Sequence, residues 1–276
     1  MTNSKAIDAV KYIMLVFWTF IVLFPMTIVL FTSFKTDAEY IRTSVFQLPD
    51  SFLNFKNYYN AFVQGNFPTA FKNSFSIVFV GIMGNVVLGT MTAYCLSRFD
   101  FRFSRVIKFL YVLAAIIPSV SIQVSVYVVL KNLHLTGTFF APALLYITTD
   151  MIQIWIFLQY LEKIPVSLDE SAMIDGASYF RIFCTIIFPL LIPAISTVVI
   201  LKAVSIYNDM FTQYLYMSSP QLRTVTTALQ TFQGISSQKQ NLMTASIIMV
   251  MIPTILLFLF FQKYIFSGIT AGSIKE

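Results

Sequence analysis

Six stretches of this chain run for about twenty residues with at most one charged side chain: residues 12–34, 73–97, 109–130, 139–160, 182–206 and 241–262. About twenty apolar residues carry an α-helix across the hydrocarbon core of a bilayer. A helix satisfies its own backbone hydrogen bonds, so it is the default structure for runs of this length in lipid. The pattern predicts an all-α membrane protein with six transmembrane helices in a single domain, residues 1–276.

Composition agrees where it bears on the class. Charged residues make up 11% of the chain and hydrophobic ones 57%, with a mean hydropathy of +0.77, whereas ordinary soluble domains are about 25% charged. The first run is longer than a signal-peptide core and ends in "FTSFK" without a small-x-small site, so it reads as a retained helix. The net charge of +6 is assigned to helix ends and topology, not to nucleic acid. Cys95 and Cys184 lack metal-ligand spacing and His134 is the single histidine, which leaves no support for a metal site or a Cys–His nucleophile.

Orientation follows from the loop "RFDFRFSRVIK", which carries Arg98, Arg102, Arg105 and Lys108. Short loops rich in Lys and Arg stay in the cytoplasm. Both termini and the segment 163–181 are then inside. Outside lie 35–72, 131–137 and 208–239.

The segment 163–181 is the densest acidic patch in the chain. "VSLDESAMIDGASYF" supplies Ser167 as an expected N-cap with Glu170 three residues on, a capping-box spacing. Asp169 and Glu170 fall in the first turn, where negative charge suits the helix dipole. Gly176 is placed to end the helix in a left-handed conformation, and apolar positions resume at once from Tyr179. The expectation is a short helix, a glycine corner, then a helix entering the membrane. A solvated, well-capped loop is the plainer reading. A cytoplasmic docking element is the sharper one.

At these residues the chain resembles the binding-protein-dependent ABC importer permeases, whose cytoplasmic loop reads E-A-A-x3-G-x9-I-x-L-P. Glu170, Ser171, Ala172, Gly176, Ile186, Phe188 and Pro189 stand at those spacings, with Ser171 for Ala and Phe188 for Leu as departures. "IDGAS" at 174–178, "AYCLSR" at 93–98, Ile117–Pro118, "YNDMF" at 207–211 and the ending "GITAGSIKE" resemble the carbohydrate branch. The resemblance implies the type I importer fold in a bacterial cytoplasmic membrane. It implies a second permease subunit, two ATPase subunits, an extracytoplasmic solute-binding protein and a sugar as substrate. ATP and Mg would be held by the ATPases. No cofactor is expected on this chain, which has no G-x-x-x-x-G-K-[ST] phosphate loop, and it is not expected to be an enzyme. By the same resemblance Asp169, Glu170, Ser171, Ala172, Asp175, Gly176, Ala177, Arg181 and Pro189 form the ATPase-docking loop. Its movement would pass along the fourth and fifth helices as a rigid-body change. A permease for a non-sugar solute and an ion-coupled secondary transporter are the alternatives.

Asp150 is the one acid inside a run, and intramembrane acids are functional candidates by default. With Thr148, Thr149, Gln153 and Trp155 it makes a polar-aromatic group that suits sugar hydroxyls, or equally serves as interhelical glue. Lys202, near a run end, is expected to snorkel. Asn208 and Asp209 are expected near the outer mouth of a substrate path. Pro118, Pro189, Pro193 and Pro253 are expected to kink their helices.

Overall fold

Each of the six apolar runs becomes helical, but two of the six are sharply bent. The structure, a computed structural model, describes residues 2–233 and 240–270; Lys239, Lys275 and the tail from Ala271 lie outside them. Every long regular element among the described residues is helical: α1 (Thr2–Phe34), α2 (Asp37–Arg42), α3 (Lys56–Gln64), α4 (Phe67–Arg98), α5 (Ser104–Ile116), α6 (Ser119–Asn132), α7 (Phe140–Ile147), α8 (Met151–Leu161), α9 (Ser167–Ile174), α10 (Tyr179–Ile182), α11 (Phe188–Leu190), α12 (Ile192–Asn208), α13 (Met210–Tyr216), α14 (Val225–Ala228) and α15 (Gln240–Thr270). Four spans are continuous enough to cross a membrane: Ile7–Phe34, Phe67–Arg98, Phe140–Leu161 and Gln240–Gln262.

The third and fifth runs, where Pro118, Pro189 and Pro193 are expected to kink the helix, are broken into helix pairs. α5 and α6 meet at 106°, and Tyr179–Leu190 meets α12 at 73°. Ile117 has an extended backbone (φ −76°, ψ 120°) between α5 and α6, as expected of a residue before proline, where the helical region is crowded by the pyrrolidine ring. In the fifth run a π-helical turn, Phe183–Ile187, precedes Pro189. Pro189 and Pro193 each remove a backbone donor within five residues, so the helix loosens and then turns at Leu191. Pro253, in contrast, lies inside α15 with helix on both sides.

The described residues divide into two compact units, one within 2–68 and 228–253, the other within 69–227 and 254–270. In the first, polar side chains share the interior with apolar ones such as Ala61, Phe67, Leu242 and Ala245. Lys35 is fully buried; its ammonium donates to Thr43 Oγ1 (3.0 Å) and to the Ser44 carbonyl (2.8 Å). The Lys35 carbonyl accepts from Asn57 Nδ2 (2.8 Å) and Asn241 Nδ2 (3.2 Å). α2 opens with a complete capping box between Thr36 and Glu39, and Glu39 also accepts from the Asp50 amide. Backbone groups of the link after α1 are thus satisfied by side chains instead of by ladder bonds.

The second unit has an apolar core from α4 (Ala93, Tyr94, Leu96), α8 (Ile154, Phe157, Leu161) and the bent pair (Ile182, Phe183, Ile187, Leu191, Ala194, Val198). In lipid such packing relies on close approach at small residues more than on expulsion of water. Gly89 is the tightest case. A Cβ there would lie 2.0 Å from Gln153 Nε2, and that amide is buried and donates to the Asn85 carbonyl (2.7 Å). Gly89→Ala is expected to push the amide off this acceptor and to cost roughly 1–3 kcal/mol, as overpacking of a filled core does; a lower unfolding temperature of the purified protein in a membrane mimetic checks it.

Candidate functional site

The segment between α8 and α10 folds as a capped helix with a corner. α9 begins at Ser167, and Val166 occupies the N-cap without a side-chain hydrogen bond. The capping box expected of Ser167 and Glu170 is therefore corrected: the helix starts one residue earlier, held by Glu170 N–H to the Val166 carbonyl (3.1 Å), and Ser167 is already inside the first turn. The other end is as expected. Gly176 has φ +82°, its amide reaches the Met173 carbonyl (3.0 Å), and the Ala177 amide reaches the Ala172 carbonyl (2.9 Å). These two bonds are the Schellman closure. Ser178 then caps α10 by accepting from the Arg181 amide.

Burial sorts the loop's side chains. Glu170, Ser171, Asp175, Gly176, Arg181 and Pro189 are exposed; Ala172 and Ala177 are half-buried. Ile174 (87% exposed) and Phe180 (67%) add apolar surface beside them, unusual for a loop that only meets water.

Asp169, grouped by its sequence position with the outward-facing docking residues, points inward. Its side chain is 5% exposed and pairs with Arg98 Nε (Oδ2, 3.1 Å), whose side chain is 8% exposed. Its other oxygen accepts from Tyr94 Oη (3.0 Å). Arg98 Nη2 donates to the Ile164 carbonyl (2.7 Å). The reason is electrostatic as well as steric: Arg98 ends α4 and Asp169 opens α9, so each charge stands at the helix end whose dipole favours it.

The polar group around Asp150 is divided. Thr148 to Asp150 interrupt the fourth span between α7 and α8. The Thr148 carbonyl accepts from Asn85 Nδ2 (2.6 Å). Asp150 caps α8 through the Gln153 amide (3.0 Å), and its second oxygen pairs with the Lys202 ammonium of α12. Lys202, expected to snorkel, instead turns into the protein, because an acid of opposite sign is in reach. Gln153 is 1% exposed and Trp155 56% exposed, so the two do not share a face. Tyr111 Oη bonds Thr149 Oγ1 (2.5 Å). Tyr111, Thr149 and Asp150 line a hollow of about 620 Å³ with Leu110, Ala114 and Ile152. Asn208 is exposed. Asp209 caps α13 through the Thr212 amide (2.9 Å) and accepts from Tyr146 Oη (2.9 Å). The loop and the Asp150 group are thus two separate clusters. No group of three or more His, Cys, Asp or Glu among the described residues has metal-binding geometry.

Residues 85–270 match the family described as binding-protein-dependent transport system inner membrane component. The chain belongs to this family. Such a component is part of a transporter, and the match takes in both bent pairs, the α9 loop and the Asp150 group. Among curated relatives, the trehalose/maltose transport system permease protein MalG of Thermococcus litoralis is 30% identical over 258 residues, 92% of each chain. The melibiose/raffinose/stachyose import permease protein MelC of Bacillus subtilis is 30% identical over 254 residues, 91% of each. A crystal structure of a bacterial ABC transporter that imports the acidic polysaccharide alginate contains a chain of the same fold, with a TM-score of 0.85 at 21% identity, covering 96% of this chain and 98% of that one.

Sequence reasoning missed Tyr94, Arg98 and Lys202 as partners. Tyr94 and Arg98 stand four apart on one helical face, a signal that the reading of Arg98 as a topology charge obscured.

Proposed function

We propose that this chain is a permease subunit of an ATP-driven importer for a sugar or oligosaccharide, set in a bacterial cytoplasmic membrane with both termini inside. The observation that carries the proposal is the α9 corner: an exposed Glu170, a left-handed Gly176 and exposed apolar side chains on a short helix between two spans. That surface fits a cleft on a soluble ATPase, with Glu170 and Asp175 meeting basic side chains. ATP and Mg would be held by two such ATPase subunits. A second permease subunit would complete the pathway, and an extracytoplasmic binding protein would deliver substrate. A periplasmic protein with bound alginate pentasaccharide is present in one solved transporter of similar fold (TM-score 0.64, 16% identity). The names of the relatives, trehalose/maltose and melibiose/raffinose/stachyose, favour a sugar over another solute.

The substrate path would run beside Asp150 and its hollow, with Trp155 as a stacking face and Asn208 and Asp209 toward the outer end. Gln153 would serve it indirectly, by fixing the start of α8. Pairing with Lys202 gives Asp150 a structural partner, which weakens the ion-coupled alternative, where a lone titrating acid is the working part.

The test is retention of partners. In cells expressing the whole importer, Glu170→Ala is expected to cut ATPase co-purification and sugar uptake by roughly ten-fold or more, as removal of a charge-assisted contact at an interface centre does, while the membrane level of the chain stays the same. Unchanged co-purification and uptake would overturn the docking assignment.

A further inference from the structure

We propose that Arg98 and Asp169, clasped by Tyr94, form the joint through which movement of α9 is passed to α4. The inference rests on the reading of α9 as the ATPase-docking helix. It adds a third route for the motion, besides the flanking helices α8 and α10, and gives a pulling role to a residue that does not touch the ATPase.

The geometry supports a joint and not a mere contact. Asp169 is the one buried residue of α9, so the helix is fastened inward mainly at its first turn while Glu170, next in sequence, stays exposed. Both carboxylate oxygens of Asp169 are held, and both holders lie on α4: Tyr94 Oη at 3.0 Å and Arg98 Nε at 3.1 Å. Two points of attachment from one helical face resist rotation of α9 about either bond. Arg98 reaches further. Its Nη2 donates to the Ile164 carbonyl at 2.7 Å, and its Nη1 lies 3.5 Å from the Leu161 carbonyl, the last residue of α8. One planar guanidinium, with its donors in a fixed fork, therefore bridges the end of α4, the end of α8 and the start of α9.

Burial makes the bridge stiff. With side chains 8% and 5% exposed, neither charge can exchange its partner for water without a large desolvation change. An exposed pair would slip under load. This one keeps its length while α9 moves, so α4 must follow.

The experiment uses the assembled importer, purified through a tag on its ATPase subunit and reconstituted in proteoliposomes loaded with ATP, with radiolabelled maltose and raffinose as probes. Asp169→Asn, which keeps the shape, and Arg98→Lys, which keeps the charge and loses the fork, are compared with the unaltered chain. The reading is sugar taken up per ATP hydrolysed by folded complex, a ratio that a merely structural defect does not move. We expect both variants to retain the ATPase subunits and to lose at least about five-fold in that ratio, the lower end of ordinary coupling between sites. Tyr94→Phe, which removes one of the two holders, should lose less. Retained ATPase with an unchanged ratio in both Asp169→Asn and Arg98→Lys would overturn the joint and leave docking intact. Failure of the unaltered chain to retain any ATPase would overturn the docking reading and the joint with it. If Asp169→Asn does not assemble, Arg98→Lys and Tyr94→Phe decide on the same ratio.

Discussion

Gly176→Val should abolish sugar uptake and ATPase co-purification while the protein still inserts into the membrane. The residue sits at φ +82°. For an L-residue the left-handed region costs roughly 1–2 kcal/mol, because Cβ crowds the following carbonyl, and β-branching narrows the choice further. The cost falls on the two bonds that close α9, Gly176 to Met173 and Ala177 to Ala172. Losing them lets the last turn unwind and the exposed face of α9 lose its shape. Space within the chain is not the obstacle: a Cβ at this position meets nothing within 4 Å. The substitution series therefore separates backbone from crowding. Asn enters the left-handed region more readily than other non-glycine residues, so Gly176→Asn should keep most of the uptake, Gly176→Ala less and Gly176→Val none. Uptake measured beside ATPase retention checks the order. Equal failure of all three would mean that the corner's open space, not its dihedral, is what the docked partner needs.

The second large effect concerns the charges in the membrane. Asp150→Asn and Lys202→Met each leave one ion alone. An isolated charge near a helix centre costs about 2.5–3.5 kcal/mol on insertion scales. Asp150 is 44% and Lys202 23% exposed in their side chains, so solvent recovers part of this and about 1–2 kcal/mol is expected for each single change. Asn also keeps the N-cap of α8, since Asp and Asn cap about equally well; the substitution thus reports on charge alone. The double variant Asp150→Asn with Lys202→Met has no lone ion and should regain most of the loss, because replacing a pair entirely costs far less than breaking it. Denaturation midpoints of the four proteins in nanodiscs give the interaction term of this cycle. Additive losses would show that the two side chains act separately.

These residues also mark how far the chain can be read from its letters. The spans were legible because charge-free length is a property of each segment alone. So was the corner at Gly176: glycine followed by renewed apolar spacing is a local signal. The bends were half legible. Pro118 and Pro253 look alike as letters, yet one stands at a 106° break and the other inside a continuous helix, because neighbouring packing decides whether a missing donor becomes a turn. The start of α9 lies one residue earlier than its spacing predicts, since serine is acceptable both at the cap and just inside it. Asp169 could not have been sorted from Glu170 by sequence. Its partner lies 71 residues earlier, at the end of α4 beside a loop whose positive charges already have an explanation as topology signals. The pairing of Asp150 with Lys202, 52 residues apart, was hidden for the same reason.

The burial of Lys35 has a consequence for how the protein is made. Its shell includes Asn241, which bonds the Lys35 carbonyl across 206 residues of chain. A ribosome adds about 5–20 residues per second, so Lys35 leaves the tunnel roughly 10–40 s before Asn241 does. Through that interval the ammonium has Thr43 and Ser44 at hand, but the Lys35 carbonyl lacks one of its two side-chain donors. The first unit can only close once the last span has begun to emerge. A nascent chain arrested before Gln240 should leave the link after α1 open to protease, and one arrested well beyond it should not.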